Sequence, residues 1–424
     1  MQQDDTPDSL LSLDLTSVQS LQRTEAMGNV VKALNESRLA GRRPNLVPAL
    51  SEAFLRQGSD SRSVQLADAL KVIGCQITED DDEELETVPP RAFRKDYIER
   101  KGLAKMNNRI TDGSRRFLEG LAWGLVVSEV SQHPQEAQIG GIPSVVQRVR
   151  GFLNIRLKEG GKWLPDLQVV NDVPIWALIY FLLRTGHLIE AVQYVQTGAI
   201  STAFQTLEPP FPAYLKAYAT SPNRTLPRHL LDRLHVEFNQ RVRYYTPNED
   251  DPFKFALYKL IGRCDVQKRA MPPRVVATSE DYLWVQLFLA REEEDIGDIW
   301  GLSDIARGVV KAGRTAWDRT GQRPEGYFLV LVLVGEYERA VHFLLNHSPG
   351  EGIHFAIVLA WYGLLRISPS KTVFEDDLCM CATGEANHSE SGTSWCGGVS
   401  HIQSCQSTCI VCQELHQDSC SNIL

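Results

Sequence analysis

The chain has 424 residues, 43% hydrophobic and 23% charged, with a formal net charge of −9. A mean hydropathy of −0.21 excludes a protein built mainly of membrane helices. The negative balance leaves no global positive field to gather phosphate backbones, so direct nucleic-acid binding is not expected.

The acidic start MQQDDTPDSLLSLDL lacks the basic segment and apolar core of a secretory signal, so the expected compartment is cytosolic or nuclear. Of nine cysteines, only Cys75 and Cys264 lie in the first 370 residues, and a reduced body without disulfides is expected.

In chain order, residues 1–30 are expected to be flexible or weakly helical. Candidate helices then begin near Leu46, Ser63, Ser114 and Ser144. The acidic run EDDDEELETVPP, Glu79 to Pro90, reads as a solvated loop between them.

The stretch VPIWALIYFLLRTGHLIEAVQYV, Val173 to Val195, is the most informative. Its apolar run stops at Arg184, well short of the roughly 20 apolar residues that a membrane span needs. Pro174 suits a first helical position and Gly186 a left-handed helix end. Beyond Gly186, Leu188, Ala191, Val192 and Val195 recur at i, i+3, i+4 and i+7, one face of a second helix. The stretch therefore reads as a helical hairpin, whose first helix is apolar all round and must lie between neighbours.

Leu207–Pro227 is rich in proline and reads as a break. Leu231, Leu234, Phe238 and Val242 then mark one helix face. Asp251 caps another helix, with Pro252 in its first turn and Phe253, Ala256, Leu257 and Leu260 on one side. Gln267–Thr278 is a second break, followed by a helix near Asp281; Glu292–Asp295 reads as solvated.

FLVLVLVGEYERAVHFLL, Phe328 to Leu345, repeats the hairpin design, with Gly335 in the place of Gly186 and Ala340 and Val341 in the places of Ala191 and Val192. A small alanine at the contact position lets two helices approach closely. With a last candidate helix near Gly352, the fold class is all-α, a helical-hairpin solenoid rather than a compact bundle. Trp176, Tyr180, Leu183, Gly186, Ala191, Val192, Gly335, Ala340 and Val341 are its expected structural core.

No G-x-G-x-x-G, P-loop, G-x-S-x-G or H-E-x-x-H occurs, so no enzyme and no cofactor are expected. His235 and Glu237 with Cys409 and Cys412 make a partial zinc-deaminase pattern, but Thr408 stands where that pattern has proline. The tail 366–424 loses helical periodicity and is rich in Cys, Ser and His. It is expected to be unstructured, sequence appended by alternative splicing or intron read-through. The alternative is a zinc module on Cys405, Cys409, Cys412 and His416, although a single C-x-x-C fits no common finger.

Five blocks carry a family resemblance: GRRPNLVPAL from Gly41, GGIPSVVQRVRGFLNIRL from Gly140, PIWALIYFLLRTG from Pro174, DDPFKFALYKLIGRCDV from Asp250 and EDYLWVQL from Glu280. In order and spacing they resemble the inner-ring scaffold nucleoporins of the ninety-three-kilodalton class, over about Val31 to Leu365. The resemblance implies an elongated solenoid of residues 31–365, related to the ancestral coatomer element. It implies an architectural adaptor of the nuclear pore, at the nuclear envelope.

Implied partners are other scaffold nucleoporins and a small membrane-apposed linker nucleoporin. Recruitment of channel nucleoporins is not carried over, because the coiled segment that serves it in the family would lie before Met1. Asn154, Arg156, Arg263 and Asp265, polar residues within apolar matched blocks, are a candidate partner surface or else caps and bridges at helix ends. A shortened solenoid is further expected to expose apolar surface between Phe328 and Leu365 and to associate through it. A soluble helical-repeat adaptor of a coat or proteolytic complex is the alternative function, since the architecture alone serves many roles.

Overall fold

The computed structural model describes residues 25–366 except 44, 58–59, 79–84, 86–87, 293–299 and 319–323. Residues 1–24, most of the acidic run and the tail from residue 367 on, with its zinc alternative, lie outside the described residues. The fold divides into two compact units, one formed by Met1–Ser114 with Gly301–Leu424 and the other by Arg115–Trp300.

The first unit opens with α1 (residues 25–39), which is already helical six residues ahead of the expected boundary at 31. It is followed by α2 (Leu46–Gln57) and α3 (Ser61–Ile77). Next comes α4, a single 30-residue helix (Leu103–Gln132) whose stretch up to Ser114 belongs to this unit. A helix start near Ser114 is therefore corrected: Ser114 is fully buried in mid-helix. The glycine before it is a close approach, not a break. A Cβ on Gly113 would stand 2.4 Å from the Cys75 carbonyl oxygen, where α4 crosses α3.

In the second unit α4 continues and is followed by the four-residue turn α5 (Pro134–Ala137) and by α6 (Val145–Leu157). Ser144 and Gln147 close a reciprocal capping box at the start of α6. Two hairpins come next, β1 (Lys158–Glu159) with β2 (Lys162–Trp163), and β3 (Val169–Val170) with β4 (Val173–Pro174). Their two-residue turns, Gly160–Gly161 and Asn171–Asp172, all have positive φ, as the favoured turn of a tight hairpin requires. No paired strands were expected; the Gly-Gly and Asn-Asp dipeptides were the turn signals for them.

The helix expected to begin at Pro174 starts one residue later, as α7 (Ile175–Arg184), because Val173 and Pro174 are held in the ladder. The unit is completed by α8 (Leu188–Gln196), α9 (Gly198–Leu207), α10 (Phe211–Thr220), α11 (Arg228–Glu237), α12 (Pro252–Ile261) and α13 (Ser279–Leu289). A π-helical turn, Phe238–Val242, continues α11. The proline-rich break at 207–227 thus contains a helix. Prolines at its start tolerate the missing N–H, and Phe211, Tyr214, Leu215 and Tyr218 bury one face.

The chain then re-enters the first unit as α14 (Leu302–Ala312), α15 (Arg314–Trp317), α16 (Pro324–Leu333), α17 (Tyr337–His347) and α18 (Pro349–Tyr362). Here the expectation of an exposed apolar surface between Phe328 and Leu365 is corrected. Phe328, Leu331, Val332, Phe355, Val358 and Leu364 are all at most 1% exposed. Helices from the start of the chain supply their cover: Phe355 lies between Phe54 of α2 and Phe328 of α16, at ring separations of 6.1 and 4.7 Å. Arg91 N and Phe93 N donate to the carbonyls of Trp361 and Tyr362 at the end of α18.

Candidate functional site

Among the described residues no group of three or more His, Cys, Asp or Glu side chains is placed to hold a metal ion. His235 lies 2.6 Å from the Gly262 carbonyl, and Glu237 accepts from the Tyr214 hydroxyl (3.0 Å). The two described residues of the partial deaminase pattern thus serve helix packing. No described helix is long and apolar enough to cross a membrane. The features that distinguish this chain are its two hairpins and the polar groups that lock them.

In the α7–α8 hairpin, Trp176 meets Phe204 and Phe211 edge-on, at 5.3 and 4.7 Å. Tyr180 donates to the Val275 carbonyl (3.1 Å) and meets the Trp284 ring edge-on. Burial pushes its hydroxyl pKa upward. Leu183 is 2% exposed and Ala191 is fully enclosed. Gly186 makes the turn at φ +81, and a Cβ there would stand 3.3 Å from Glu119 Oε2. Val192 is corrected: it is half-buried, and the inward positions of α8 are Leu188, Ala191 and Val195. The 3.6 period places Val192 at the edge of that stripe, where it keeps part of its surface exposed.

Arg184, where the apolar run ends, is not a solvated stop. Only 4% exposed, it donates to the Leu118 carbonyl (2.7 Å) and to Asp281 Oδ1 (3.1 Å), and its guanidinium lies 5.1 Å from the centre of the Trp284 ring. Trp284 in turn donates to the buried Glu119 (3.3 Å). Arg184 and Glu119 were missed by sequence reasoning. The block EDYLW, which supplies Asp281 and Trp284, was the one available signal.

The α16–α17 hairpin turns at Gly335, φ +74, with Ile110 within 3.0 Å of a notional Cβ. Ala340 and Val341 are fully buried. The last carbonyls of α16 have no partner within the helix, and side chains from elsewhere supply one. Gln76 Nε2 donates to the Val332 carbonyl (3.0 Å), and Ser114 to the Leu333 carbonyl (2.7 Å). Gln76 also donates to Ser114 (2.8 Å) and accepts from the Tyr337 hydroxyl (2.8 Å). Below them Glu338 receives Arg366 through both carboxylate oxygens (3.0 Å each) and the Tyr97 hydroxyl (2.8 Å). Burial first, and Glu338 second, raise the pKa of Tyr97.

The polar residues of the matched blocks are each engaged within the chain. Asn154 donates to the Ala137 carbonyl at the end of α5 (3.0 Å), and Arg156 pairs with Glu129 (2.6 Å). Arg263 donates to the carbonyl of Leu289, the last residue of α13 (3.0 Å), and Asp265 pairs with Arg243 (3.1 Å). Arg263 and Asp265 both have positive φ, at 48 and 51°, so the surrounding contacts hold this turn in a sparsely populated conformation.

Asp251 sits at a further junction. It caps α12 by accepting from Phe253 N and Lys254 N, and it binds Gln168 N (2.9 Å) from the loop ahead of β3. Burial pushes its carboxyl up to about 6, against the pull of these three donors.

Hairpins with a glycine turn, an enclosed alanine and buried locks define a helical-solenoid scaffold, a class that carries surfaces for assembly. The chain belongs to the Nup93/Nic96 family, whose model matches residues 64–389, past the expected limit at Leu365. It is 36% identical over 367 residues to the meiotically up-regulated gene 87 protein of Schizosaccharomyces pombe, an alignment covering 84% of this chain and 42% of that protein. It is 34% identical over 292 residues to nucleoporin NIC96 of Chaetomium thermophilum, covering 65% and 26%. The crystal structure of Chaetomium thermophilum Nic96 SOL superposes with a TM-score of 0.72 at 28% identity, covering 82% of this chain and 50% of that one. The chain thus spans less than half the length of these curated relatives.

Proposed function

We propose that the chain is an architectural subunit of the nuclear pore complex at the nuclear envelope, carrying no catalytic reaction and supporting nucleocytoplasmic transport through assembly. The likeness to Nic96 over 82% of the chain carries this reading, and the family match supports it. Its partners on this reading are other scaffold nucleoporins and a small membrane-apposed linker nucleoporin, which bind folded helical surfaces rather than a pocket. Asn154, Arg156, Arg263 and Asp265 shape helix ends that such a partner would meet.

Tagging the endogenous chain and imaging interphase cells tests the proposal. A punctate nuclear rim is expected, and a diffuse signal would overturn it. Charge reversal at Arg156 and Asp265 together should weaken capture of scaffold nucleoporins at least tenfold without dispersing the fold. Unchanged capture would remove these residues from the interface.

A further inference from the structure

Residues 221–227 join α10 to α11 without regular structure and read SPNRTLP, a serine before proline with arginine at the third position after it. Proline has no N–H to give and holds the residue ahead of it extended. Ser221 is accordingly extended, at φ −77 and ψ 129. Its Oγ accepts from Thr225 N (3.3 Å) and lies 3.4 Å from Thr225 Oγ1. Ser221 keeps part of its surface in solvent, and Pro222, Asn223 and Thr225 are exposed. The other described hydroxyls that precede proline differ. Thr246 has Glu249 at the third position after it, and Ser348 is 8% exposed and receives Arg62. An extended, accessible hydroxyl ahead of proline, with a base at that spacing, suits a protein kinase of the proline-directed class, which reads such charge patterns in its substrate.

The base of this motif is also tied to the interior. Arg224 stands in the left-handed region at φ +48; its N donates to the Ser221 carbonyl (3.0 Å), and its own carbonyl accepts from Arg291 Nη2 (3.0 Å). Its guanidinium lies 3.9 Å from Glu119 Oε1, an ion pair longer than a hydrogen bond. Glu119 is 5% exposed and also faces Arg115 (3.9 Å) and the Trp284 ring nitrogen (3.3 Å). A phosphate on Ser221 would bring a charge of roughly −1.5 to −2 and three acceptor oxygens into the turn that already bonds Ser221 to Arg224. The larger charge and the scope for bidentate bonds favour the phosphate over Glu119 for that guanidinium. Glu119 would keep Arg115 and Trp284.

We infer that Ser221 is a phosphorylation site for a proline-directed serine/threonine kinase, and that its phosphate draws Arg224 off Glu119 and so loosens a buried lock of the second unit from the surface. The kinase moves the γ-phosphoryl group of ATP to Ser221 Oγ. The bond from phosphorus to the ADP oxygen breaks, the Oγ–P bond forms, and the hydroxyl proton passes to the kinase's own base. The loop has no helix or strand ladder to break, so local opening presents the extended segment that the kinase needs.

Incubating the full chain with ATP and a purified proline-directed kinase, then mapping phosphopeptides by mass spectrometry, tests the site. Phosphate is expected at Ser221 of the folded chain, and Ser221→Ala should remove it. Arg224→Gln should slow its entry about tenfold, the loss of one charge-assisted contact, and Arg224→Lys should restore most of the rate. Phosphate should lower the second unit's melting temperature by about 2–4 °C. Glu119→Gln keeps an acceptor for Trp284 without the charge, and should melt alike with and without phosphate. No phosphate at Ser221, or phosphate that enters only after denaturation, would overturn the site. Equal slowing by Arg224→Gln and Arg224→Lys would remove the base from recognition. A melting temperature unmoved by phosphate, or an equal fall in Glu119→Gln, would overturn the link to Glu119.

Discussion

Ala191 and Val192 are adjacent and chemically similar, yet one is enclosed on all sides and the other is half-buried. Ala191→Leu should cost about 1–3 kcal/mol by overpacking α7 against α8, whereas Val192→Leu should stay within about 0.5 kcal/mol. Chemical denaturation of the two variants checks the contrast, and equal losses would refute it. Asp251 gives a pH signature. Its folded pKa of about 6 lies above the ordinary value of 3.8, so folding favours the protonated form. That contribution is complete below about pH 4 and is lost as pH rises through 6, about 3 kcal/mol in all. Asp251→Asn keeps a capping oxygen without the charge, and should flatten stability between pH 4 and 7; an unaltered slope would exclude Asp251 as its source. Periodicity marks the stripe of α8, but how many neighbours close over each position is a tertiary matter.

At the scale of elements, glycines have opposite roles. Gly335 turns between α16 and α17 at positive φ with Ile110 pressed against it, so Gly335→Ala should destabilise by about 1–2 kcal/mol. Gly120 and Gly124 lie exposed within α4 with nothing within 4 Å of a notional Cβ. Gly124→Ala should stabilise by about 0.4–1 kcal/mol, because alanine costs less backbone entropy in a helix. Melting temperatures that move the same way for both would contradict this. The glycine turns were legible from sequence as Gly after an apolar run. Gly113 was not, because a glycine required by the close crossing of α3 reads locally as a helix breaker. The helix α10 was hidden by its flanking prolines, although Phe211, Tyr214, Leu215 and Tyr218 carry a helical spacing.

For the whole molecule, the division into two units predicts separable responses. Gln76→Leu leaves the Tyr337 hydroxyl without its buried acceptor and the Val332 carbonyl with Gly335 N alone, at about 1–3 kcal/mol, and acts in the first unit. Ala191→Leu acts in the second. Calorimetry of the full chain should show the two variants lowering different parts of the transition. A uniform shift by both would mean that the units unfold as one.

The sequence by itself determined the helical class, the hairpins at Val173–Val195 and Phe328–Leu345, and the family, because these rest on apolar periodicity and short contiguous blocks. Tertiary structure alone decided that α2 and α3 cover α16 and α18, and that Arg184, Glu119 and Gln76 are buried. These depend on residues far apart in the chain: Gln76 satisfies a carbonyl 256 positions away. A local pattern records which face of a helix is apolar, but not which distant segment pays back the hydrogen bonds lost at its end.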